Sequence, residues 1–319
     1  MIDKPVGLGS TPLVSAVKRA LRAGGYAKVK VGHGGTLDPL ANGVLPIALG
    51  EATKLAGRML DADKAYNFTI RFGEETSTLD REGEVVARSD VRPSRAAVEA
   101  VLARFTGEIA QVPPAYSALL IDGRRAYDRA RAGEVVELAT RLVTVHALRL
   151  CPTPTPPLKG RGFQVAPSPQ APPLQGRGWG WGLDEATLSA RVSKGTYIRS
   201  LARDIARALG TFGHVTMLRR VQAGPFSLTA AISLDKLAEL AMAGALEQAL
   251  LPLTSALDDI PALPVTPDQA SALRQGRTIG IAVASDFGPG FAFATLDAVP
   301  VAYVEIEDAR MRVVRGFNL

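Results

Sequence analysis

Val31-Gly32-His33-Gly34-Gly35-Thr36-Leu37-Asp38-Pro39-Leu40-Ala41-Asn42-Gly43-Val44-Leu45-Pro46-Ile47-Ala48-Leu49 is the stretch whose reading decides the fold. Val29 to Val31 reads as the end of one apolar strand and Val44 to Leu49 as another, so a loop is held between two buried elements. Pro39 biases the preceding Asp38 towards an extended backbone and away from a helix. Gly34, Gly35 and Gly43 let the chain take positive φ or come close to a ligand. A lone carboxylate on a rigid, glycine-lined loop suits a nucleophile or a general base. The same residues also suit an Asp-Pro turn that caps a helix or closes a hairpin. The pattern alone leaves both readings open.

Around that loop lie 319 residues, enough for about two domains at roughly 150 residues each. The chain is 47% hydrophobic, so a sizeable core is available. Lys and Arg number 37 against 31 Asp and Glu, for a formal charge of +6 and a pI near 9.6. That surplus is compatible with a nucleic-acid partner, because cations on one face neutralise phosphates and release counterions, but alone it does not identify one. One cysteine, Cys151, excludes an internal disulfide and a multi-cysteine zinc site. His33, His146 and His214 show no metal spacing, and neither metal nor cofactor is expected. No apolar run reaches about 18 residues, so no membrane span is expected. Met1-Ile2-Asp3-Lys4-Pro5 carries no apolar signal-peptide core, and the reducing cytoplasm is the expected home.

Taken in order, Ser10 or Thr11 is expected to cap a helix with Pro12 at its first position, running through Leu13, Val17 and Leu21 to Gly24-Gly25. A second helix is expected from Gly50 to about Leu60, and Tyr66 to Gly73 alternates as a half-buried strand. Ser94 caps a helix that continues to Phe105 and stops at Gly107. Gly123 to Gly133 is the densest basic run, near Tyr116 and Tyr127; it reads either as an RNA contact or as an amphipathic surface helix. From Pro152 to Gly182 the chain turns Pro- and Gly-rich and repeats itself: Pro157-Leu158-Lys159-Gly160-Arg161-Gly162-Phe163 recurs as Pro173-Leu174-Gln175-Gly176-Arg177-Gly178-Trp179. Such composition buries little apolar surface, and a flexible insert is expected, with an RGG-like RNA contact as the weaker alternative. Order resumes with a strand from Ala186 to Val192. A helix follows from Ile198 to Leu209, with Arg199, Arg203 and Arg207 four apart on one stripe. Later come helices from Ser233 and from Thr266 to Gly276, then short strands at 282–284, 290–296, 299–305 and 311–314 that read as a small β-barrel.

His33 to Leu45 resembles the active-site loop of the TruB-type tRNA pseudouridine synthases, with Asn42 where that family usually has Thr. Other segments resemble family motifs: Asp3-Lys4-Pro5-Val6-Gly7, Asp63-Lys64-Ala65-Tyr66, Thr76 to Gly83, Gln111 to Leu119, Gly123 to Gly133, Ser193-Lys194-Gly195-Thr196-Tyr197-Ile198-Arg199 and His214 to Arg220. The resemblance implies an α+β pseudouridine-synthase catalytic fold, a central mixed, mostly antiparallel sheet flanked by helices, with a small PUA-like C-terminal β-barrel. It implies a catalytic domain over 1–257, interrupted by the insert at 152–183, and an RNA-binding domain over 258–319. It makes Asp38 the catalytic residue and places Tyr66 and Tyr197 against the target uracil. It pairs Arg199 with Asp38, packs Leu218 near the base, and gives His33 a role in displacing the target from the T loop. An arginine beside a carboxylate keeps it ionised and oriented. Asp80 reads as structural rather than catalytic. The implied partner is the T stem-loop of tRNA, modified at position 55; no cofactor and no membrane partner are expected, and nothing in the sequence suggests an obligate oligomer, so a monomer is expected. A nucleotide-binding enzyme fails on pattern, since neither G-x-x-x-x-G-K-[ST] nor a helix-opening G-x-G-x-x-G occurs. A tRNA-folding module without turnover, and a pseudouridine synthase for another RNA, stay open.

Overall fold

Proline and glycine set where the first strands break. In the computed structural model, residues 1–136, 138–152, 182–257, 260–280 and 289–319 are described. They form two units, one of Met1–Tyr66 with Arg219–Leu319 and one of Asn67–Leu218.

The first unit opens with β1 (Ile2–Lys4), α1 (Ser10–Ala23), β2 (Val31–His33), β3 (Asn42–Leu45) and β4 (Ile47–Leu49). The single strand expected over Val44–Leu49 is thus two, divided at Pro46, which has no N–H to give a ladder. The break sends the pieces to different partners: β3 pairs antiparallel with β1, and β4 with β2. Helix α1 buries Leu13, Val14, Val17 and Leu21 along one stripe and ends at Gly24. Its N-cap is Gly9, not Ser10 or Thr11, and no side chain caps it. The Ser10 hydroxyl is turned inward to the backbone of Leu37 instead, so a tertiary bond takes the oxygen that local pattern assigns to the cap. The helix expected from Gly50 begins as tight 3-10 turns over Gly50–Leu55 and becomes α2 (Ala56–Asp61).

Strand β5 (Lys64–Phe72) carries the chain into the second unit, with Phe68, Ile70 and Phe72 buried and Tyr66 half-buried at its start. There follow β6 (Glu74–Thr76), β7 (Val85–Arg88) and α3 (Arg95–Val101), capped by Ser94, which accepts from the Ala97 N–H. Next come β8 (Gly107–Gln111), the short hairpin β9 (Leu120–Ile121) and β10 (Arg124–Arg125), α4 (Ala126–Arg131) and β11 (Arg141–Leu150). β12 (Glu185–Val192), α5 (Ile198–Ala208) and β13 (Gly213–Ala223) complete the unit, and the last returns the chain to the first. The insert expected at 152–183 lies outside the described residues except for Pro152, Gly182 and Leu183.

The central sheet is mixed. In the second unit its strands run β13-β5-β12-β11-β8, with β11 antiparallel to both β12 and β8. In the first unit they run β1-β3-β13, and β3 lies parallel to β13, Asn42 opposite Arg219 and Gly43 opposite Arg220. That parallel pairing matters for the site, because it sets the end of the Asp38 loop beside a distant part of the sequence.

The remainder of the first unit contains β14 (Phe226–Ser227), α6 (Leu234–Met242), β15 (Ala262–Pro264), α7 (Pro267–Arg274), β16 (Ile279–Gly280), β17 (Gly290–Leu296), β18 (Val299–Glu307) and β19 (Arg310–Gly316). β15-β17-β18-β19-β16 form a curled half-barrel. Thr266 and Gln269 make a reciprocal capping box with Pro267 in the first turn of α7, as that stretch of sequence signals. Ala270 and Leu273 pack with Val304 and Met311 in its core. The strand expected at 282–284 falls outside the described residues.

Candidate active site

The Asp38 loop is fastened at each end and underneath. Leu37, Leu40 and Ala41 are buried anchors around a half-buried Asp38. The Asp38 carbonyl accepts from the Ala41 N–H at 3.1 Å, closing a tight turn that Pro39 pre-sets. Ser10 Oγ accepts from the Leu37 N–H at 2.8 Å and lies 3.1 Å from its carbonyl, so both backbone groups next to Asp38 are held from α1. Lys4, fully buried, directs its ammonium at the carbonyls of Pro5, Leu8 and Pro39. Arg220, 1% exposed, donates from Nε to the Val44 carbonyl at 2.7 Å, from Nη1 to Thr36 at 3.3 Å and from Nη2 to Gly35 at 3.4 Å. Two glycines are required by contact. A Cβ on Gly43, at φ +107°, would fall 2.1 Å from the Arg220 carbonyl, and one on Gly34 would fall 2.5 Å from Met59 Cβ. The result is a carboxylate carried by backbone with little freedom, an arrangement suited to nucleophilic or general-base chemistry.

His33 ends β2, and its Nδ1 is buried, with no hydrogen-bond partner of good geometry among the described residues. Its pKa is pushed below the ordinary imidazole value, first by burial and then by the nearby Arg220 charge, while a bond to the Gly35 backbone opposes the shift. The ring is therefore neutral at pH 7. Tyr66 sits half-buried where β5 begins.

The second unit contributes a different cluster. Arg199, in the first turn of α5, is 5% exposed. Its Nη1 lies 3.3 Å from an Asp80 carboxylate oxygen and donates to the Thr78 carbonyl at 2.9 Å, while Nη2 donates to the Tyr116 carbonyl at 2.9 Å. Asp80 is itself buried and accepts from Thr78 Oγ1 at 2.6 Å and the Glu82 N–H at 3.0 Å. Tyr197, half-buried, is the N-cap of that helix, and the Gln111 amide brackets its backbone, accepting from the Tyr197 N–H at 2.8 Å and donating to its carbonyl at 3.2 Å. Leu218 is buried on β13. The arginine stripe of α5 is a row of internal pairs: Arg203 with Asp204 and the Val112 carbonyl, and Arg207 with Glu75 through two bonds.

His33, Asp38 and Tyr66 thus belong to the first unit, and Tyr197, Arg199 and Leu218 to the second. Reading the sequence missed Lys4, Ser10 and Arg220 as supports of the loop, and Gln111 and Asp80 as supports of Tyr197 and Arg199. No local signal marks them: Lys4, for one, stands next to Asp3 and reads as an ordinary charged residue. Among the described residues, no group of three or more His, Cys, Asp or Glu is placed to hold a metal, and no helix is long and apolar enough to cross a membrane.

The loop that bears Asp38 thus sits on a mixed α/β scaffold whose C-terminal strands form a half-barrel. Solved structures agree on the fold. An H/ACA RNP bound to a substrate RNA containing 2'-deoxyuridine matches with a TM-score of 0.68 at 22% identity, over 100% of this chain and 84% of that one. A Cbf5-Nop10-Gar1 complex matches at 0.68 and 23%, over 99% and 83%. A family model described as "TruB family pseudouridylate synthase (N terminal domain)" matches residues 18–167, and one described as "tRNA pseudouridylate synthase B C-terminal domain" matches residues 199–258. The tRNA pseudouridine synthase B of Novosphingobium aromaticivorans is 58% identical over all of this chain and 96% of its own length. That of Zymomonas mobilis is 56% identical over 100% and 95%. The chain belongs to the TruB family of pseudouridylate synthases.

Proposed function

We propose that this protein isomerises uridine to pseudouridine in tRNA, at position 55 of the T loop, with Asp38 as the catalytic residue. The substrate reading rests on the names of its relatives and on the motif resemblance. The observation that carries the catalytic reading is the loop itself: a half-buried carboxylate whose flanking backbone is held by Ser10, Lys4 and Arg220. The reaction breaks the N1–C1′ bond, turns the uracil and joins C5 to C1′. Its redox balance is zero, so acid–base and nucleophilic groups suffice. The target base has to leave its stack and enter a pocket, which costs a few kcal/mol and calls for aromatic and apolar surfaces to receive it. Tyr66 and Tyr197 supply faces for stacking, worth about 1–3 kcal/mol per base, and Leu218 an apolar contact. A neutral His33 suits displacement of the target, because it can donate or accept with RNA bases. In this reading Arg199 is fixed by Asp80, residues 1–257 form the catalytic domain and residues 258–319 add RNA-binding surface.

The test is chemical mapping of pseudouridine in an unmodified tRNA transcript after incubation with the protein. One pseudouridine at position 55, and none in a transcript with cytidine there, is the expected result. Product at another site overturns the position, and tight binding without product supports a folding module instead.

A further inference from the structure

We propose that Arg220 is a positioning residue for the reaction, holding the Asp38 loop in its working conformation from beneath. The inference rests on the reading of Asp38 as the catalytic carboxylate.

Arg220 is tied to the loop twice, on opposite sides of Asp38. Its backbone pairs with Gly43 in the parallel β3–β13 ladder, so its main chain abuts the downstream end. The approach is so close that only a glycine fits, since a Cβ at 43 would lie 2.1 Å from the Arg220 carbonyl. Its side chain then reaches the upstream end, where the guanidinium donates to Thr36 and Gly35, and the Nε bond to Val44 keeps the fork from swinging. Asp38 lies between the two tied points, on seven residues of chain from Thr36 to Asn42. A planar guanidinium presents its donors at fixed mutual angles, so three carbonyls held by it are fixed relative to one another. A lysine ammonium is a point donor on a flexible stem and cannot reproduce that geometry.

Burial keeps Arg220 off the substrate. At 1% exposure it is not placed to meet RNA, so any effect on turnover runs through the loop. The same cation faces His33, so the residue also favours the neutral ring at the loop's start. The arrangement differs from ordinary core packing in where its bonds go: all three carbonyls belong to the loop and the strand leaving it.

The experiment uses the full chain in four forms: wild type, Arg220→Met, Arg220→Lys and Asp38→Asn. Three quantities are measured on folded protein: single-turnover pseudouridine formation, tRNA affinity by filter binding, and amide hydrogen exchange over residues 34–41. Arg220→Met is expected to lower the single-turnover rate about 100-fold, the loss typical of a reacting group displaced by an ångström. Its tRNA affinity should stay within about threefold, since the interaction lost is not one made with substrate. The amides of Gly35 to Asp38 should exchange faster while those of α5 do not change. Arg220→Lys should recover little of the rate, because charge without the fork does not hold the loop. If Arg220→Met fails to fold, Arg220→Lys, which keeps the cation and its stem, is read alone. Wild-type turnover in a folded Arg220 variant, or full recovery by lysine, overturns the proposal. An active Asp38→Asn overturns the catalytic reading instead, whatever the Arg220 variants do.

Discussion

Removing Asp80 should unsettle the protein more than any surface ion pair could. Arg199 and Asp80 side chains are 6% and 4% exposed and 3.3 Å apart. Two unit charges at that distance attract by about 5 kcal/mol at an effective dielectric of about 20, before desolvation is subtracted. What a variant reads is the deletion rather than the attraction. Asp80→Ala leaves a buried guanidinium with the Thr78 and Tyr116 carbonyls but without that carboxylate, and it strips the acceptor from Thr78 Oγ1 and the Glu82 N–H. Breaking a buried pair from one side costs about 3–5 kcal/mol. Arg199 keeps its bonds to the Thr78 and Tyr116 carbonyls, which puts the expectation at the lower end, about 3 kcal/mol. Asp80→Asn keeps an acceptor and loses the charge, so about 1–2 kcal/mol is expected. Urea unfolding measures both: the midpoint should fall while the slope stays constant. Turnover should fall alongside, because Arg199 is no longer fixed at the start of α5. A loss below about 1 kcal/mol for Asp80→Ala, the range of an exposed pair, together with full activity would refute the argument.

Ser10→Ala removes the acceptor for the Leu37 N–H beside Asp38; stability should drop by about 1–3 kcal/mol in chemical denaturation, with slower single turnover. Gly43→Ala brings a methyl against the Arg220 carbonyl at positive φ and should cost about 3 kcal/mol or more, visible in the thermal midpoint. His33 contributes a pH dependence whose sign is fixed by its lowered folded pKa. The unfolded imidazole takes a proton near pH 6.5 and the folded one resists, so stability is full above about 6.5 and declines as pH falls below it. Thermal unfolding of His33→Gln between about pH 8 and pH 5.5 should therefore show a shallower decline than wild type.

The elements legible in the sequence are those whose cause is local. The glycine- and proline-marked motif at 33–45, the helix opened by Thr266-Pro267 and the alternation of Phe68, Ile70 and Phe72 are each written within a few residues. Ser10 shows the opposite case. Its pattern is that of a helix cap, but a backbone group 27 residues away takes the hydroxyl. The strand expected from Val44 to Leu49 fails at Pro46 for a reason visible in the sequence, though only the sheet decides which partner each half takes. The supports of the site were hidden because they join residues far apart along the chain. Arg220 reaches Thr36 across 184 positions and Arg199 reaches Thr78 across 121. The four-residue spacing of Arg199, Arg203 and Arg207 marked one helix face. It did not reveal that each is already engaged by a carboxylate of its own unit.

The central claim is that one carboxylate performs the isomerisation. The most direct measurement is single-turnover conversion of unmodified tRNA by Asp38→Asn, a substitution that keeps the side chain's size and removes its charge, with tRNA affinity recorded on the same sample. The account predicts wild-type affinity and no detectable pseudouridine; conversion at the wild-type rate would contradict it.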